Sequence, residues 1–421
     1  MKILSPLRDR DFALLWAGLT ISLIGDGVYL VAIAWQAYDL SNTPSALAVV
    51  GLAWSIGLVL FLLTGGVISD RFDRRRVMIG ADLMRAAVLV LMGVLSLSGS
   101  LEIWHMVVLV FFYASGEAFF GPAFGALVPD VLEGEQLLQA NALEQVIRQT
   151  SKRLIGPLIG GIVIALVGPG NAFLIDAGTF LVSATAITLM RTRSIGTRSE
   201  GSTVRSDMLD GWQYVRERRW LWVSFLVSSL TMLLFFGPAE VLLPYVVRNE
   251  LGGGAGDFGL VLAADGAGSI LASIAVGQRD LPRRYMTVLY ACWATATLPL
   301  IGYGMASALW QLMILSAVFG ALVTTGVIIF TTLQQTRVPP EMRGRIHSFD
   351  LFTSLGLAPL SFALTGPAAA AFGVNTTLII AGILPALMTT TLFIWFRIDR
   401  EEVPLPGTSG DAEHKLPQHI A

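Results

Sequence analysis

The chain has little charge and almost no cysteine. Only 14% of its 421 residues are Asp, Glu, Lys or Arg, against roughly 25% in ordinary soluble domains, and that deficit excludes a soluble globular protein. A single cysteine, Cys292, leaves no partner for an internal disulfide. The four histidines, at 105, 347, 414 and 419, are scattered. With no H-E-x-x-H run or other metal-ligand spacing, no metal is expected. There is no G-x-x-x-x-G-K-[ST] loop, so ATP hydrolysis by this chain is excluded. No catalytic constellation supports an enzyme, and no cofactor is expected. The net charge of -2 lacks the basic footprint of a nucleic-acid binder.

What the chain has instead is apolar surface: 54% of residues are hydrophobic and the mean hydropathy is +0.69. This apolar content is spread over the whole length, which rules out a soluble domain on one anchor and indicates a polytopic membrane protein. Lys2, Arg8 and Arg10 lead into an apolar stretch longer than a signal-peptide core of roughly 7 to 15 residues, so it reads as an uncleaved first span.

A span needs about 20 mostly apolar residues, and punctuation at Gly, Pro and charge clusters gives twelve. They cover 12-38, 44-69, 77-97, 103-128, 142-168, 171-190, 220-247, 258-277, 285-304, 309-334, 345-371 and 375-396. The expected fold is therefore all-α, with an N-terminal six-helix half (1-190), a linker (191-219) ending in an amphipathic segment, a C-terminal six-helix half (220-396) and a disordered cytoplasmic tail (397-421). Basic residues test this count, because cytoplasmic loops are enriched in Lys and Arg. With both termini inside, 23 of the 28 fall on the inner side and only Arg248 outside, while Arg85, Arg148, Lys152 and Arg153 lie in spans.

Two landmarks repeat at a displacement of 210 residues: Asp70 and Arg74 as Asp280 and Arg284, and Val128-Pro129 as Val338-Pro339. A shared offset of half the chain suggests duplicated halves that rock about a central site, the architecture of a transporter.

Between the second and third spans runs Gly65-Gly66-Val67-Ile68-Ser69-Asp70-Arg71-Phe72-Asp73-Arg74-Arg75-Arg76. It resembles the signature loop of the major facilitator superfamily, with Asp73 where that signature has a turn-forming Gly. Gly66 permits close helix approach, Asp70 can accept hydrogen bonds across the half interface as a gate, and Arg71, Arg74 and Arg75 suit an anionic inner leaflet. Phe120-Gly121-Pro122-Ala123, Val128-Pro129-Asp130, Ala140-Asn141-Ala142-Leu143 and Val338-Pro339-Pro340-Glu341-Met342-Arg343-Gly344-Arg345 look like the branch holding macrolide, tetracycline and multidrug efflux proteins and enterobactin-type siderophore exporters. Gly156, Pro157, Gly160 and Gly161 are similar to the end of the antiporter motif on the fifth helix, where small residues permit close packing and a bend. The chain departs from that pattern at Lys152, where the motif has Gly, and at Phe112, where proton antiporters have Arg.

Ionisable groups at mid-bilayer cost at least about 2.5 to 3.5 kcal/mol, so each needs a partner or a wet cavity. Asp26 and Glu117 both lie near mid-depth, roughly 21 Å along their spans at 1.5 Å per residue. The resemblance implies that the first, fourth, seventh and tenth helices line the cavity, making these two carboxylates the first proton-coupling candidates. Asp26 equally suits a polar contact beside Gly25 and Gly27, and Glu117 a buried pair with a fifth-span base. Glu144, Arg148 and Lys152 fall on one helical face, so Arg148 joins the candidates, followed by Glu240 and Asp265. Asp82 and Arg85, three apart, read as a structural ion pair. Tyr29, Phe120, Phe236 and Phe330 could stack on a flat amphiphile, and Thr324 is the nearest hydroxyl.

The expectation is a secondary exporter of drug-like amphiphiles working by alternating access with proton antiport, acting as a monomer in the cell membrane. A siderophore exporter, an uncoupled facilitator or importer of a metabolite, and a membrane sensor or partner-dependent permease stay open as alternatives.

Overall fold

The computed structural model describes residues 2–132, 135–191, 204–279 and 281–402. Asp280 of the repeat, residues 192–203 of the linker and most of the tail lie outside the described residues, as do the surroundings of Gly66 and the side chain of Asp70.

The N-terminal half begins with α1 (Arg10–Leu40), started by the Asp9 carboxylate, which accepts the Phe12 amide at 2.9 Å, the usual chemistry of an N-cap. After α2 (Pro44–Arg71), the signature loop is only two residues long. Its Asp73 caps α3 (Arg74–Leu97), accepting the amides of Arg75 at 2.9 Å and Arg76 at 3.4 Å. Neither Phe72 nor Asp73 has a positive φ, so the turn has no need of glycine. The departure at Asp73 instead supplies an aspartate where the four unsatisfied amides of a helix start require an acceptor.

Beyond α4 (Ile103–Val131) come α5 (Glu135–Ile147), a π-helical segment over Arg148–Ile155 and α6 (Gly156–Thr188). The expected spans 142-168 and 171-190 thus run together as one 46-residue helical stretch, Leu143–Thr188. At 1.5 Å per residue that is about 69 Å, more than twice the ~30 Å of a bilayer core. The stretch turns at Gly168, whose φ of 81° and ψ of 168° suit only glycine, followed by Pro169. Eleven apolar stretches among the described residues therefore make twelve crossings.

The amphipathic end of the linker is α7 (Val204–Glu217), followed by α8 (Arg219–Tyr245) with a π turn at Val246–Glu250, and α9 (Ala255–Gly277). Two spans expected to be continuous are broken. The ninth divides into α10 (Tyr285–Ala296) and α11 (Pro299–Tyr303), and the eleventh into α13 (Pro340–Leu355) and α14 (Ala358–Phe372). Pro299 and Pro359 carry no amide and disfavour helix in the residue before them. Between and after these lie α12 (Leu309–Arg337) and α15 (Val374–Trp395).

Neighbour relations repeat from half to half: α2 packs on α4 as α9 packs on α12, and α3 on α6 as α10 and α11 pack on α15. Across the halves α2 meets α14 and α6 meets α9, the pair of contacts a pseudo-twofold relation demands. At the end carrying the described termini each half has its own core, one around Phe12, Met78 and Leu127 and the other around Leu221, Met286 and Leu333. At the opposite end a single core runs through both halves, from Tyr38 and Phe173 to Val241 and Leu378. The halves are closed at that far end and separate toward the termini.

Candidate functional site

Between the halves lies a cavity of about 490 Å³, lined among others by Tyr29, Trp54, Arg148, Lys152, Phe236 and Glu240. This is within the range of small-molecule sites, roughly 300–1,000 Å³. Its wall contains the π segment, and π turns concentrate at functional positions because they interrupt the helical ladder and rotate the residues that follow.

Two glycines allow helices to reach this segment. A Cβ at Gly27 of α1 would lie 2.7 Å from the Lys152 carbonyl oxygen, and one at Gly266 of α9 would lie 2.4 Å from the Arg153 carbonyl oxygen. The segment is therefore pressed between one helix of each half. Lys152 turns to the N-terminal half, where its Nζ lies 3.7 Å from Asp26 Oδ2 and 3.6 Å from Glu117 Oε1. Arg153 turns to the C-terminal half, its Nη1 lying 3.0 Å from Asp265 Oδ2.

Both carboxylates on Lys152 have further partners. The Tyr113 hydroxyl donates to Asp26 Oδ1 at 2.7 Å and stacks on Tyr29 with centroids 4.3 Å apart, while Trp54 Nε1 donates to Glu117 Oε2 at 3.3 Å. Asp26 is buried, whereas the Glu117 side chain is 33% exposed. Glu117 thus pairs with a fifth-span base, the alternative open to it.

Arg148 does not join them. It pairs with Glu144 at 2.8 Å on the cavity wall, as their i, i+4 spacing predicts, while Lys152, inside the π segment, departs from that face to meet Asp26 and Glu117. Asp82 and Arg85 form the expected pair, with the guanidinium between the rings of Phe120 and Phe180 at 4.8 and 4.1 Å.

Three cavity candidates are corrected. Phe120 is buried beneath Arg85 and stacked on Phe124. Phe330 is buried among Trp220, Phe225 and Trp293, and Thr324 is buried in α12. None of the three lines the cavity, since a helix buries part of its circumference and sequence alone leaves that rotation open. Tyr29 and Phe236 do line it, Phe236 lying edge-on to Phe362 with centroids 5.4 Å apart.

Asp176 was missed. It is fully buried in α6, takes the Thr179 hydroxyl at 3.0 Å, and leaves Oδ2 without a hydrogen bond among the described residues. Gly25 makes room for it, since a Cβ there would stand 2.1 Å from Asp176 Oδ1. The available signal was an acidic residue within the sixth span.

The small-residue run serves two interfaces. Cβ atoms at Gly156 and Gly160 would lie 2.6 Å from Gly27 Cα and 2.9 Å from Val28 Cα on α1, whereas one at Gly161 would lie 3.0 Å from Gly256 Cα on α9. Pro157 lines the cavity. Within the signature loop, Arg74 binds Asp130, and Arg75 Nη2 donates to the carbonyls of Ile187 and Thr188 at 3.1 Å, satisfying the end of α6.

At the closed end Arg248 Nη1 lies 2.6 Å from Asp39 Oδ1 and over the ring of Trp35. Asn42 and Asn249 exchange hydrogen bonds at 2.6 and 3.1 Å, and the Tyr38 hydroxyl donates to the Val241 carbonyl at 2.6 Å. All of these link one half to the other.

Known proteins of similar sequence and shape agree with this architecture. Macrolide efflux protein A of Streptococcus pyogenes is 22% identical over 378 residues, covering 89% of this chain and 93% of that protein. Multidrug efflux pump Tap of Mycolicibacterium fortuitum is 26% identical over 410 residues, covering 94% and 97%. Among solved structures, nucleoside transporter NupG superposes with a TM-score of 0.72 at 12% identity, covering 93% of this chain and 99% of its own. A bacterial homologue of the iron transporter ferroportin in its inward-facing state gives 0.69 at 14% identity, covering 92% and 98%. With the model of transmembrane secretion effectors matching residues 1–407, the chain belongs to that family of major facilitator transporters.

Proposed function

We propose that the chain is a secondary exporter of amphiphilic small molecules, moved by alternating access and driven by proton exchange. It acts as a monomer in the cell membrane with both termini in the cytoplasm. The observation that carries this reading is the cluster in which one ammonium, Lys152, serves two carboxylates, Asp26 and Glu117, beside a half-apolar cavity. Two carboxylates on one ammonium leave a single negative charge, which one proton neutralises. Charge-neutral and charged forms of such a cluster differ strongly in how well they tolerate a dry environment. Proton exchange is therefore suited to bias which end of the cavity is closed. Export is supported by the efflux proteins that the chain resembles, and an amphiphilic cargo by aromatic walls with few amides or hydroxyls.

The test is transport in proteoliposomes under an imposed pH gradient, comparing the wild type with Asp26→Asn, Glu117→Gln and the double variant. Loss of gradient-driven movement with retained cargo exchange supports coupling at this cluster. A double variant that still concentrates cargo with unchanged pH dependence removes it. Uptake insensitive to the gradient in the wild type would select an uncoupled facilitator.

A further inference from the structure

A second chamber of about 310 Å³ opens inside the C-terminal half, among α8, α9, α10, α11 and α12. It adjoins the central cavity, and Arg153, Phe236, Glu240, Phe258, Leu262 and Asp265 line both, forming the neck between them.

Most polar groups on the chamber's far walls are already bonded, although Thr231 Oγ1 has no hydrogen-bond partner among the described residues. Phe235 and Phe319 stack with centroids 5.3 Å apart, the Tyr303 and Ser316 hydroxyls bond each other at 2.8 Å, and the Thr297 hydroxyl donates to the Gly382 carbonyl at 2.9 Å. Trp293 and Leu300 complete an apolar surface.

The neck is different. Its charged groups are two carboxylates and one guanidinium. Arg153 holds Asp265 Oδ2, and the other Asp265 oxygen is packed against α12, where a Cβ at Gly320 would stand 2.4 Å from it. Glu240 has no hydrogen bond or ion pair among the described residues, and its side chain is exposed to the cavity. Arg153 and Lys152 offset its charge without bonding to it, so the carboxylate still lacks a hydrogen-bonded partner at the edge of an apolar chamber, a costly arrangement unless one arrives. The rings of Phe236 and Phe258 line the same neck, where aromatic groups favour a cation.

We propose that this chamber is a cargo subsite for protonated amines, the ammonium donating to Glu240 while an aryl or alkyl group of the same molecule fills the chamber. The assignment rests on the reading of the cavity as the cargo site and deepens it by naming the chemistry recognised.

A matched pair of probes tests it: dansylcadaverine, which carries one ammonium, and its N-acetyl derivative, which carries none. Binding is read by dansyl fluorescence on the purified full chain in nanodiscs. The wild type is expected to bind the amine about tenfold more tightly than the amide, a typical effect of one close charge pair. Glu240→Gln should bring the amine down to the amide's affinity, and Glu240→Asp should keep part of the preference. Val323→Phe, which fills the chamber from α12, should weaken both probes. The proposal fails if Glu240→Gln keeps the preference or if Val323→Phe changes neither affinity. Failure of the export reading would look different: wild-type proteoliposomes would move neither probe under a pH gradient while the binding preference at Glu240 remained.

Discussion

Lys152 and Arg153 are consecutive in sequence yet bind opposite halves of the molecule, Lys152 to Asp26 and Glu117 and Arg153 to Asp265. Neighbouring residues on a helix point in different directions, and the π segment is pressed between α1 and α9, so both side chains find carboxylates at once. A change in the charge of one cluster has a direct mechanical route to the other half through a single stretch of backbone.

Lys152→Gln leaves Asp26 and Glu117 without their cation. Breaking a buried pair from one side costs about 3–5 kcal/mol, with the lower end expected here because Glu117 is a third exposed. Thermal melting of Lys152→Gln beside the wild type in detergent checks this, and adding Asp26→Asn and Glu117→Gln should recover much of the loss; an unchanged deficit in the triple variant would mean the ammonium does not balance these groups.

The Arg248 and Asp39 pair is partly exposed, with side chains 27% and 38% accessible, so it contributes at most about 1 kcal/mol. Arg248→Ala should therefore shift the balance toward opening at that end by roughly fivefold. Distances between spin labels on the two far-end loops would report the shift, and the exchanged pair Arg248→Asp with Asp39→Arg should restore it.

Gly156→Val should be among the most damaging substitutions, because its Cβ would meet Gly27 Cα and the Ile24 carbonyl oxygen, both at 2.6 Å. Overpacking of this kind costs about 1–3 kcal/mol or more, seen as loss of monodisperse protein. Gly80→Ala is the contrasting case. Nothing lies within 4 Å of its Cβ, and helix propensity should raise stability by about 0.5–1 kcal/mol.

Asp73 offers a test of the signature loop. Asp73→Ala removes the cap of α3 and should lower stability by about 0.5–2 kcal/mol, whereas Asp73→Gly, the residue usual in the superfamily, should cost only a few tenths. Denaturation of the two variants side by side distinguishes a capping role from a requirement for a glycine turn.

The sequence by itself determined the twelve crossings, the division into halves and the Asp82 and Arg85 pair. Apolar run length and positive-inside bias are properties of short stretches, and residues three apart on a helix meet whatever surrounds them. Asp26 and Glu117 were legible for a related reason, since depth follows from counting residues along a helix. Only tertiary structure decided what those carboxylates face. Arg153 meets Asp265 across 112 residues of chain, Asp176 fits behind Gly25, and Phe120, Thr324 and Phe330 turn into packed cores instead of the cavity. Each of these depends on the rotation of a helix about its own axis and on the register shift introduced by the π segment. Both are set by which small residues let which backbones approach, a relation between distant parts of the chain.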